Sequence, residues 1–428
     1  MKLFLKLTIM MTMLMAGLLA SSNKGTETAV LASPLSEMLF DGSFVETDFV
    51  QASDGANQNF FGRAVAVDGD TMVVGASGAR IDGNSLQGAA YVFTRSGTGW
   101  IEQQKLVADD GAANHFFGIA VAVEGDTMLV GAYFAGGAGA VYVFTRSGAT
   151  WSQQQKLVAD DGVSGSSFGW SLDLQGETAV IGARGSGNLA GAVYLSGYSE
   201  MSWSQQQKLT ASDAAVGDGF GSAVALDGDT LVVGAHQPLA QGAAYVFIRD
   251  GSNWQEQQKL TAEDGANFDN FGSAVAISGH TAFVGAYRAA VEQNNNHGAV
   301  YMFTHDDVTW SLQQKLAAAD GAAGDRFGYA IALDEGKMLI GASGHMAHGA
   351  VYLFTPDDTG WNQQQKLIPG NGSSGESFGT AVALDGETAV IGAAWVFVSP
   401  APEGGAYIFT YRPPFNPTDF IYLPLFMR

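Results

Sequence analysis

Cysteine is absent from this chain of 428 residues, and basic residues are scarce. Without cysteine there is neither a disulfide framework nor a thiolate metal site. The chain has 20 Lys and Arg against 42 Asp and Glu, which gives a formal net charge of −22. Because nucleic acids and anionic membranes are bound through basic patches, this balance argues against both as partners. It favours solubility and cationic partners.

Long apolar segments are also few. One, over residues 7–19, follows two lysines and precedes small residues. This order is typical of a secretory signal peptide, so we predict a signal over residues 1–20 and an extended linker over residues 21–40. Leu18 occupies a position where cleavage favours a small residue. An uncleaved anchor is therefore the alternative.

Glycine, in contrast, is abundant, with 57 residues, and it recurs at fixed points of a repeat. The repeat occurs seven times, and each copy has a Phe-Gly pair and a Gly-Ala pair whose glycines are 13 residues apart. The Phe-Gly pairs begin at Phe61, Phe117, Phe168, Phe220, Phe271, Phe327 and Phe378. A period of 51 to 56 residues with four strand-like segments indicates a β-propeller. We therefore predict an all-β fold, a seven-bladed β-propeller of four-stranded blades.

The four segments of each repeat differ in character. The first two are apolar without alternation, as in strands covered on both faces, and they are joined by an Asp-Gly turn such as that at Gly69. That turn chemistry predicts a type I′ hairpin. The third segment carries aromatic residues. The fourth, a Trp followed by polar residues and Leu, is typical of a half-solvated outer strand.

The seventh copy has no fourth segment after it, which raises the question of ring closure. Phe44 and Val50 stand where the missing strand would have Trp and Leu, so we predict that this N-terminal segment closes the ring. Residues 415–421 are the rival, but the neighbouring prolines disfavour a ladder strand. The propeller then spans residues 41–414. It leaves a tail over residues 415–428 that is too short to cross a bilayer.

The order Phe-Gly, strand and Val-Gly-Ala resembles the FG-GAP repeat of the integrin α-subunit propeller. The Trp and Gln-Lys-Leu segment, with Asp-Gly before Phe-Gly, is similar to the bacterial branch of that family. The resemblance covers residues 41–414. It implies a seven-bladed propeller outside the cell that binds through loops on one face, and it does not imply an enzyme.

Many FG-GAP repeats carry a calcium loop between their first two strands, and this chain has only tight turns such as Asp68-Gly69-Asp70 there. The calcium sites of the family therefore do not carry over, and we expect no cofactor. A carboxylate also precedes each of the first six Phe-Gly pairs, which leaves calcium as an alternative. The weak candidates are Asp110, Asp161, Asp213, Asp264 and Asp320. We favour an Asx turn in the loop between blades as their role.

Three long loops, over residues 77–87, 287–297 and 394–403, follow Gly-Ala pairs and should share one face of the ring. The best candidates for ligand contact are Tyr287, Arg288, Trp395 and Phe397, which are aromatic or Arg residues outside the repeat pattern. The alternative for Trp395 and Phe397 is a hydrophobic plug. His345 and His348 are expected to be exposed loop residues rather than metal ligands.

These features predict a secreted or cell-surface, non-catalytic binding or adhesion module with an extracellular protein or glycan as partner. Two alternatives stay open. An extracellular propeller enzyme acting on polysaccharide would need titratable residues from several blades at the mouth of the channel. A structural surface protein would assemble through edge or face contacts.

Overall fold

A computed structural model describes residues 42–55, 59–97, 99–237, 239–292, 294–370, 377–394 and 404–413. Within this part, Ser43–Arg412 forms one compact unit. The predicted signal peptide, linker and C-terminal tail lie outside the described residues, as do Trp395 and Phe397.

Seven antiparallel sheets of four strands make up the propeller, which confirms the predicted fold class. We number the blades in chain order. Blade 1 has β2 (Phe61–Asp68), β3 (Thr71–Ala76), β4 (Ala89–Ser96) and β5 (Gly99–Leu106); blade 2 has β6 (Val121–Glu124), β7 (Thr127–Ala132), β8 (Ala140–Ser147) and β9 (Thr150–Leu157); blade 3 has β10 (Phe168–Gln175), β11 (Thr178–Ala183), β12 (Ala192–Ser199) and β13 (Ser202–Leu209).

The remaining blades repeat this arrangement. Blade 4 has β14 (Phe220–Asp227), β15 (Thr230–Ala235), β16 (Ala243–Asp250) and β17 (Asn253–Leu260); blade 5 has β18 (Phe271–Ser278), β19 (Thr281–Ala286), β20 (Ala299–His305) and β21 (Trp310–Leu316); blade 6 has β22 (Phe327–Asp334), β23 (Lys337–Ala342), β24 (Ala350–Asp357) and β25 (Gly360–Leu367). Blade 7 has β26 (Phe378–Asp385), β27 (Thr388–Ala393), β28 (Gly405–Arg412) and β1 (Ser43–Val50). Single helical turns lie at Ala135–Gly137, Ser186–Leu189 and His345–Ala347.

The hydrophobic core lies in layers between neighbouring blades. On β3, Val73 packs with the core of blade 2, whereas Met72 and Val74 pack with residues of blade 7. The second strand is therefore buried on both faces, which explains its apolar run without alternation. Trp151 of the outer strand joins the layer between blades 1 and 2. Trp151 therefore packs between blades, as its constant position in the repeat indicates.

The phenylalanine of each Phe-Gly pair anchors its blade. Phe61 is fully buried, and its ring meets Tyr91 and Phe93 of β4 edge-on, with centroids 5.4 and 6.1 Å apart. Equivalent edge-to-face contacts with the third-strand Tyr occur in all seven blades. Such aromatic pairs contribute roughly 0.5–1.5 kcal/mol each beyond their buried area.

The glycines of the repeat meet at the junctions between blades. A Cβ on Gly131 of blade 2 would lie 2.2 Å from the carbonyl oxygen of Gly169 in blade 3. The same clash would occur at every junction, including the one that closes the ring, where Gly392 faces the Gly62 oxygen at 2.0 Å. The backbones approach too closely for any side chain. The constant interval between the two glycines maintains this contact around the ring.

A glutamine on the outer strand links each of blades 1 to 6 to the blade that follows. Gln104 accepts a hydrogen bond from the Trp151 backbone N–H at 2.9 Å and donates one to the Trp151 carbonyl at 2.8 Å. The same pair of bonds joins Gln155 to Trp203, Gln207 to Trp254, Gln258 to Trp310, Gln314 to Trp361 and Gln365 to Phe44. Each glutamine therefore satisfies a backbone donor and a backbone acceptor of the neighbouring blade.

The N-terminal strand β1 lies antiparallel to β28 at the outer edge of blade 7, with Phe44 opposite Tyr411. Phe44 is buried, and it receives the glutamine link from blade 6. At the next junction, Asp48 occupies the position of the glutamine and accepts the Trp100 N–H at 2.7 Å. The rival segment over residues 415–421 lies outside the described residues.

The prediction of type I′ hairpins for the Asp-Gly turns is wrong. In the Gly69–Asp70 turn only the first central residue, Gly69, has a positive φ, of 54°, as in a type II′ turn. The Gly69 N–H donates to the Asp385 carboxylate of blade 7 at 2.6 Å, so a contact between blades sets the turn. Blade 6 alone among these turns has positive φ at both central residues, Glu335 and Gly336, which is the type I′ pattern.

The junction glycines give a direct test. We expect Gly131→Ala to lower the free energy of unfolding by about 3 kcal/mol or more, because the new Cβ would meet backbone that cannot move aside. The matched control is Gly148→Ala. Gly148 has a φ of 63° but no neighbour within 4 Å of a Cβ, so its cost is only the left-handed strain of about 1–2 kcal/mol. Denaturant unfolding that gave equal losses would contradict a steric role for the junction.

Candidate functional site

In each blade, the residue directly after the Phe-Gly pair and the residue directly after the Gly-Ala pair lie at the same end of the blade. First strands of neighbouring blades contact one another around the ring and so line the central channel. We call these two positions the channel mouth. It comprises Arg63, Ile119, Trp170, Ser222, Ser273, Tyr329 and Thr380 after Phe-Gly, and Ser77, Tyr133, Arg184, His236, Tyr287, Ser343 and Ala394 after Gly-Ala. The Phe-Gly and Gly-Ala pairs before them repeat from blade to blade, whereas these two positions differ.

The largest side chains of the channel mouth form one cluster. The Arg184 guanidinium lies over the Trp170 ring, 3.7 Å from its centroid, and Tyr133 meets the same ring edge-on at 5.0 Å. Phe116, the residue before a Phe-Gly pair, contacts Tyr133 at 5.0 Å. All four side chains are half-buried, so the cluster is held in place and stays open to the channel.

Arg184 interacts across the ring. Burial lowers its pKa; the charge of Arg63 in blade 1 acts in the same direction, whereas Tyr133 and Tyr287 favour its charged form. An Arg in blade 3 thus interacts electrostatically with residues of blades 1 and 5. Because the chain is strongly acidic overall, this group of cations is a local positive centre.

His236 supplies the blade 4 member of the channel mouth. Burial, with the positive charges of Arg184 and Arg288, lowers its pKa to about 4. The imidazole is therefore neutral at physiological pH. Its Nδ1 atom is buried and has no hydrogen-bond partner among the described residues.

The predicted contact residues Tyr287 and Arg288 lie on the far side of the same cluster. The Tyr287 ring contacts Tyr329 of blade 6 at 5.1 Å, and its hydroxyl accepts a hydrogen bond from Asn270 at 2.7 Å. Arg288 is exposed, and its guanidinium lies 5.5 Å from the centre of the Tyr287 ring. Tyr287 acts electrostatically on Arg184, and Arg288 acts on His236, which are residues that the loop-based prediction did not include.

A cavity of about 410 Å³ opens beside the cluster, between the loops of blades 3 and 4. Arg184 and His236 line its inner side. Its outer lining includes Leu189, Val216 and Leu239, which are 57%, 77% and 78% exposed. Asp218 also lines the cavity, and its carboxylate accepts hydrogen bonds from the Ala215 N–H and the Gln237 side-chain amide. The site therefore combines a cation, a neutral imidazole and a hydrogen-bonded carboxylate with an apolar rim.

The repeat itself matches a known family. The family described as FG-GAP repeat matches residues 45–93, 100–144, 151–196, 203–247, 254–303, 310–354 and 361–409. The protein is a member of the FG-GAP repeat family. Such repeats are typical of extracellular proteins, and a propeller of this type suggests a binding or adhesion module. None of the curated proteins compared with the chain matches it.

The FG-GAP propeller is also similar to solved structures. A chain of the structure described as "Crystal Structure of Mitotic Checkpoint Complex" shares 11% identity with a TM-score of 0.56, covering 91% of this chain and 97% of that chain. At this identity the likeness concerns the fold alone. In the part of the chain that the structure describes, no helix is long and apolar enough to cross a membrane.

The weak metal candidates lie in a repeated network within the FG-GAP blades. Asp110 accepts hydrogen bonds from the Tyr142 hydroxyl at 2.7 Å and from the Lys156 ammonium at 2.5 Å. The same network comprises Asp54 with Tyr91 and Lys105, Asp161 with Tyr194 and Lys208, Asp213 with Tyr245 and Lys259, Asp264 with Tyr301 and Lys315, and Asp320 with Tyr352 and Lys366. A cation here would have to displace a lysine.

We expected these carboxylates to close the turn as an Asx turn, but a backbone hydrogen bond closes it instead. The turn at Asp110 is closed by the Gly111 N–H, which donates to the Ala108 carbonyl at 3.0 Å. The carboxylate instead ties the loop to the third and fourth strands of the blade that follows. Burial would raise the pKa of Asp110, but the hydrogen bonds and charge from Lys156 and Tyr142 outweigh it and lower the pKa.

The expectation for His345 is wrong. Its side chain is buried, with Nδ1 2.7 Å from an Asp325 oxygen and Nε2 2.6 Å from the Lys366 ammonium. A single turn of helix after the Gly-Ala pair turns the imidazole inward. His348 is half-buried rather than exposed.

The Asp110 network predicts a pH dependence. The lowered folded pKa means that ionised Asp110 contributes stability that is complete above the unfolded value of about 3.9 and is lost as the pH falls through the folded pKa. We expect Asp110→Asn to cost roughly 0.5–1 kcal/mol at pH 7, since the pair is partly exposed, and the gap to wild type to shrink below about pH 4. Denaturant unfolding at pH 7 and below about pH 4 measures the difference in stability between variant and wild type, with Asp109→Asn as control. A gap that does not depend on pH would contradict the assignment.

The cluster around His236 predicts a second titration. We expect its imidazole to titrate in NMR spectra near pH 4 rather than near the usual value of about 6.5. Arg184→Met should raise this midpoint, because one of the two nearby charges is removed. Arg249→Met, which removes a charge at the opposite end of blade 4, should leave it unchanged. A wild-type midpoint near 6.5 would show that His236 is neither buried nor close to the arginines.

Proposed function

We propose that the protein is an extracellular, non-catalytic binding or adhesion module that contacts its ligand through the channel mouth and the cavity beside it. The observation that supports this proposal is the Arg184 and Trp170 cluster. Within a frame of near-identical blades, the positions facing the axis carry different residues, and those residues converge on one cationic and aromatic centre.

The chemistry of the cluster indicates the class of ligand. A guanidinium stacked on Trp170 still has edge N–H donors for a carboxylate or another anionic group. The rings of Tyr133 and Tyr287 and the exposed apolar residues around the cavity suit a planar or apolar face. An anionic glycan or an acidic segment of an extracellular protein combines these features.

The chemistry of the residues in the cluster also favours binding over catalysis. Tyr133, Arg184 and His236 are titratable groups from three blades, which is the arrangement expected of the polysaccharide-enzyme alternative. Glycoside hydrolysis, however, uses a pair of carboxylates as acid and base or nucleophile. A cationic and aromatic cluster suits recognition of an anion better than hydrolysis of a glycosidic bond.

The proposal is tested by screening the secreted protein against immobilised uronic-acid oligosaccharides and acidic peptides, with neutral glycans as comparison. We expect binding to anionic probes that weakens with salt and falls at least tenfold in Arg184→Met. Arg249→Met removes the same charge at the opposite end of the propeller and should bind as wild type does. Equal binding by both variants, or a preference for neutral probes, would refute the proposed site.

A further inference from the structure

Blade 5 departs from its neighbours at the end of the propeller opposite the channel mouth. In blades 1, 2 and 4 the hairpin aspartate forms an ion pair with an arginine at the end of the third strand. The pairs are Asp70 with Arg95, Asp126 with Arg146 and Asp229 with Arg249, at 2.9, 2.7 and 2.5 Å. In blade 5 both positions are histidines, His280 and His305. The backbone bond between the two positions remains, from the His305 N–H to the His280 carbonyl at 2.9 Å.

The two imidazoles are held close together. Their ring centres are 5.8 Å apart, and the His305 ring stacks on Trp310 at 5.1 Å, where an arginine lies over the equivalent Trp in blades 1, 2 and 4. The Gln257 side chain also bonds both Trp310 and His305, at 2.9 and 3.1 Å. The orientation of His305 is therefore fixed by two contacts.

A carboxylate completes the group. Asp307 lies in the turn after β20 with a φ of 70°, and one of its oxygens is 3.7 Å from His280 Nδ1. The turn is held by Asp306, which accepts hydrogen bonds from the N–H groups of Val308 and Thr309 at 3.1 and 2.8 Å. Ligand atoms of His280, His305 and Asp307 all lie within 4.8 Å of one another. Across the described ranges, no other group of three such residues is as close.

This donor set fits a borderline divalent metal better than calcium. Two imidazoles and a carboxylate are ligands that Zn²⁺ takes, at bonds of about 2.0–2.2 Å, whereas calcium takes six to eight oxygens. Tetrahedral geometry at those bond lengths separates ligand atoms by about 3.3 Å, so rotation of exposed side chains closes the site. His280 and Asp307 are 67% and 87% exposed, which leaves a path for the ion and room for a water ligand.

We propose that blade 5 carries a surface site for Zn²⁺ or a similar divalent metal, with His280, His305 and Asp307 as protein ligands and water in the remaining position. The site replaces an ion pair of the repeat by a metal link between the same two strand ends. It is separate from the channel mouth and does not depend on the ligand proposed there.

The test uses the full secreted chain without an affinity tag, stripped with chelator and titrated calorimetrically with ZnCl₂ at pH 7.5. We expect one ion per chain with a dissociation constant on the order of micromolar. The double variant His280→Asp with His305→Arg restores the pair found in blades 1, 2 and 4, so it should fold and lose at least 30-fold in affinity. Asp307→Asn should lose about tenfold.

Two further measurements keep the result decisive. His115→Ala removes a histidine elsewhere and should bind zinc as wild type does, and His280→Gln serves if the double variant does not fold. Cu²⁺ should quench Trp310 fluorescence, a signal that Trp310→Phe removes. Absence of saturable zinc uptake by wild type, or equal uptake by a folded variant without His280, would overturn the proposal.

Discussion

The close approach of backbones at the blade junctions is the constraint on which this propeller depends. Where Gly131 meets the Gly169 carbonyl there is no space for a Cβ, and every junction repeats this contact. The contact fixes how far each blade rotates relative to the last. It thereby determines where the buried Phe sits, where the outer-strand glutamine reaches its neighbour, and which two positions per blade face the channel. Because the junctions fix the backbone of every blade, the residues at the channel mouth can differ from blade to blade without changing the fold.

The fold could be predicted from the sequence because seven copies repeat each weak local signal in phase. The turn type could not be predicted, because the Gly69 N–H donates to a carboxylate of another blade. The four residues of the turn contain no information about that partner. The same limit applies to Asp110, whose partners, Tyr142 and Lys156, are 32 and 46 residues away. In both cases a hydrogen bond to a distant part of the chain determines what the residue does.

The candidate site was predicted only in part, for a related reason. Tyr287 and Arg288 stood out because they begin a long loop. Arg184 begins a shorter connection and Trp170 lies within β10, and both look ordinary within a single repeat. A comparison of the positions after Phe-Gly and Gly-Ala across all copies contains the signal, because these positions vary while the pairs before them do not. What the sequence cannot give is that Arg63 of blade 1 and Tyr287 of blade 5 influence the pKa of Arg184 in blade 3.

The position of β1 also bears on how the ring assembles. Six blades are built from consecutive strands and can form as the chain leaves the ribosome, since their contacts are local. Blade 7 joins the first strand of the propeller to its last, so β1 stays unpaired until β28 has been synthesised. The final junction is also held by an aspartate where the other six have a glutamine. Closure is therefore the last step of folding, and opening under mechanical load should begin at this seam.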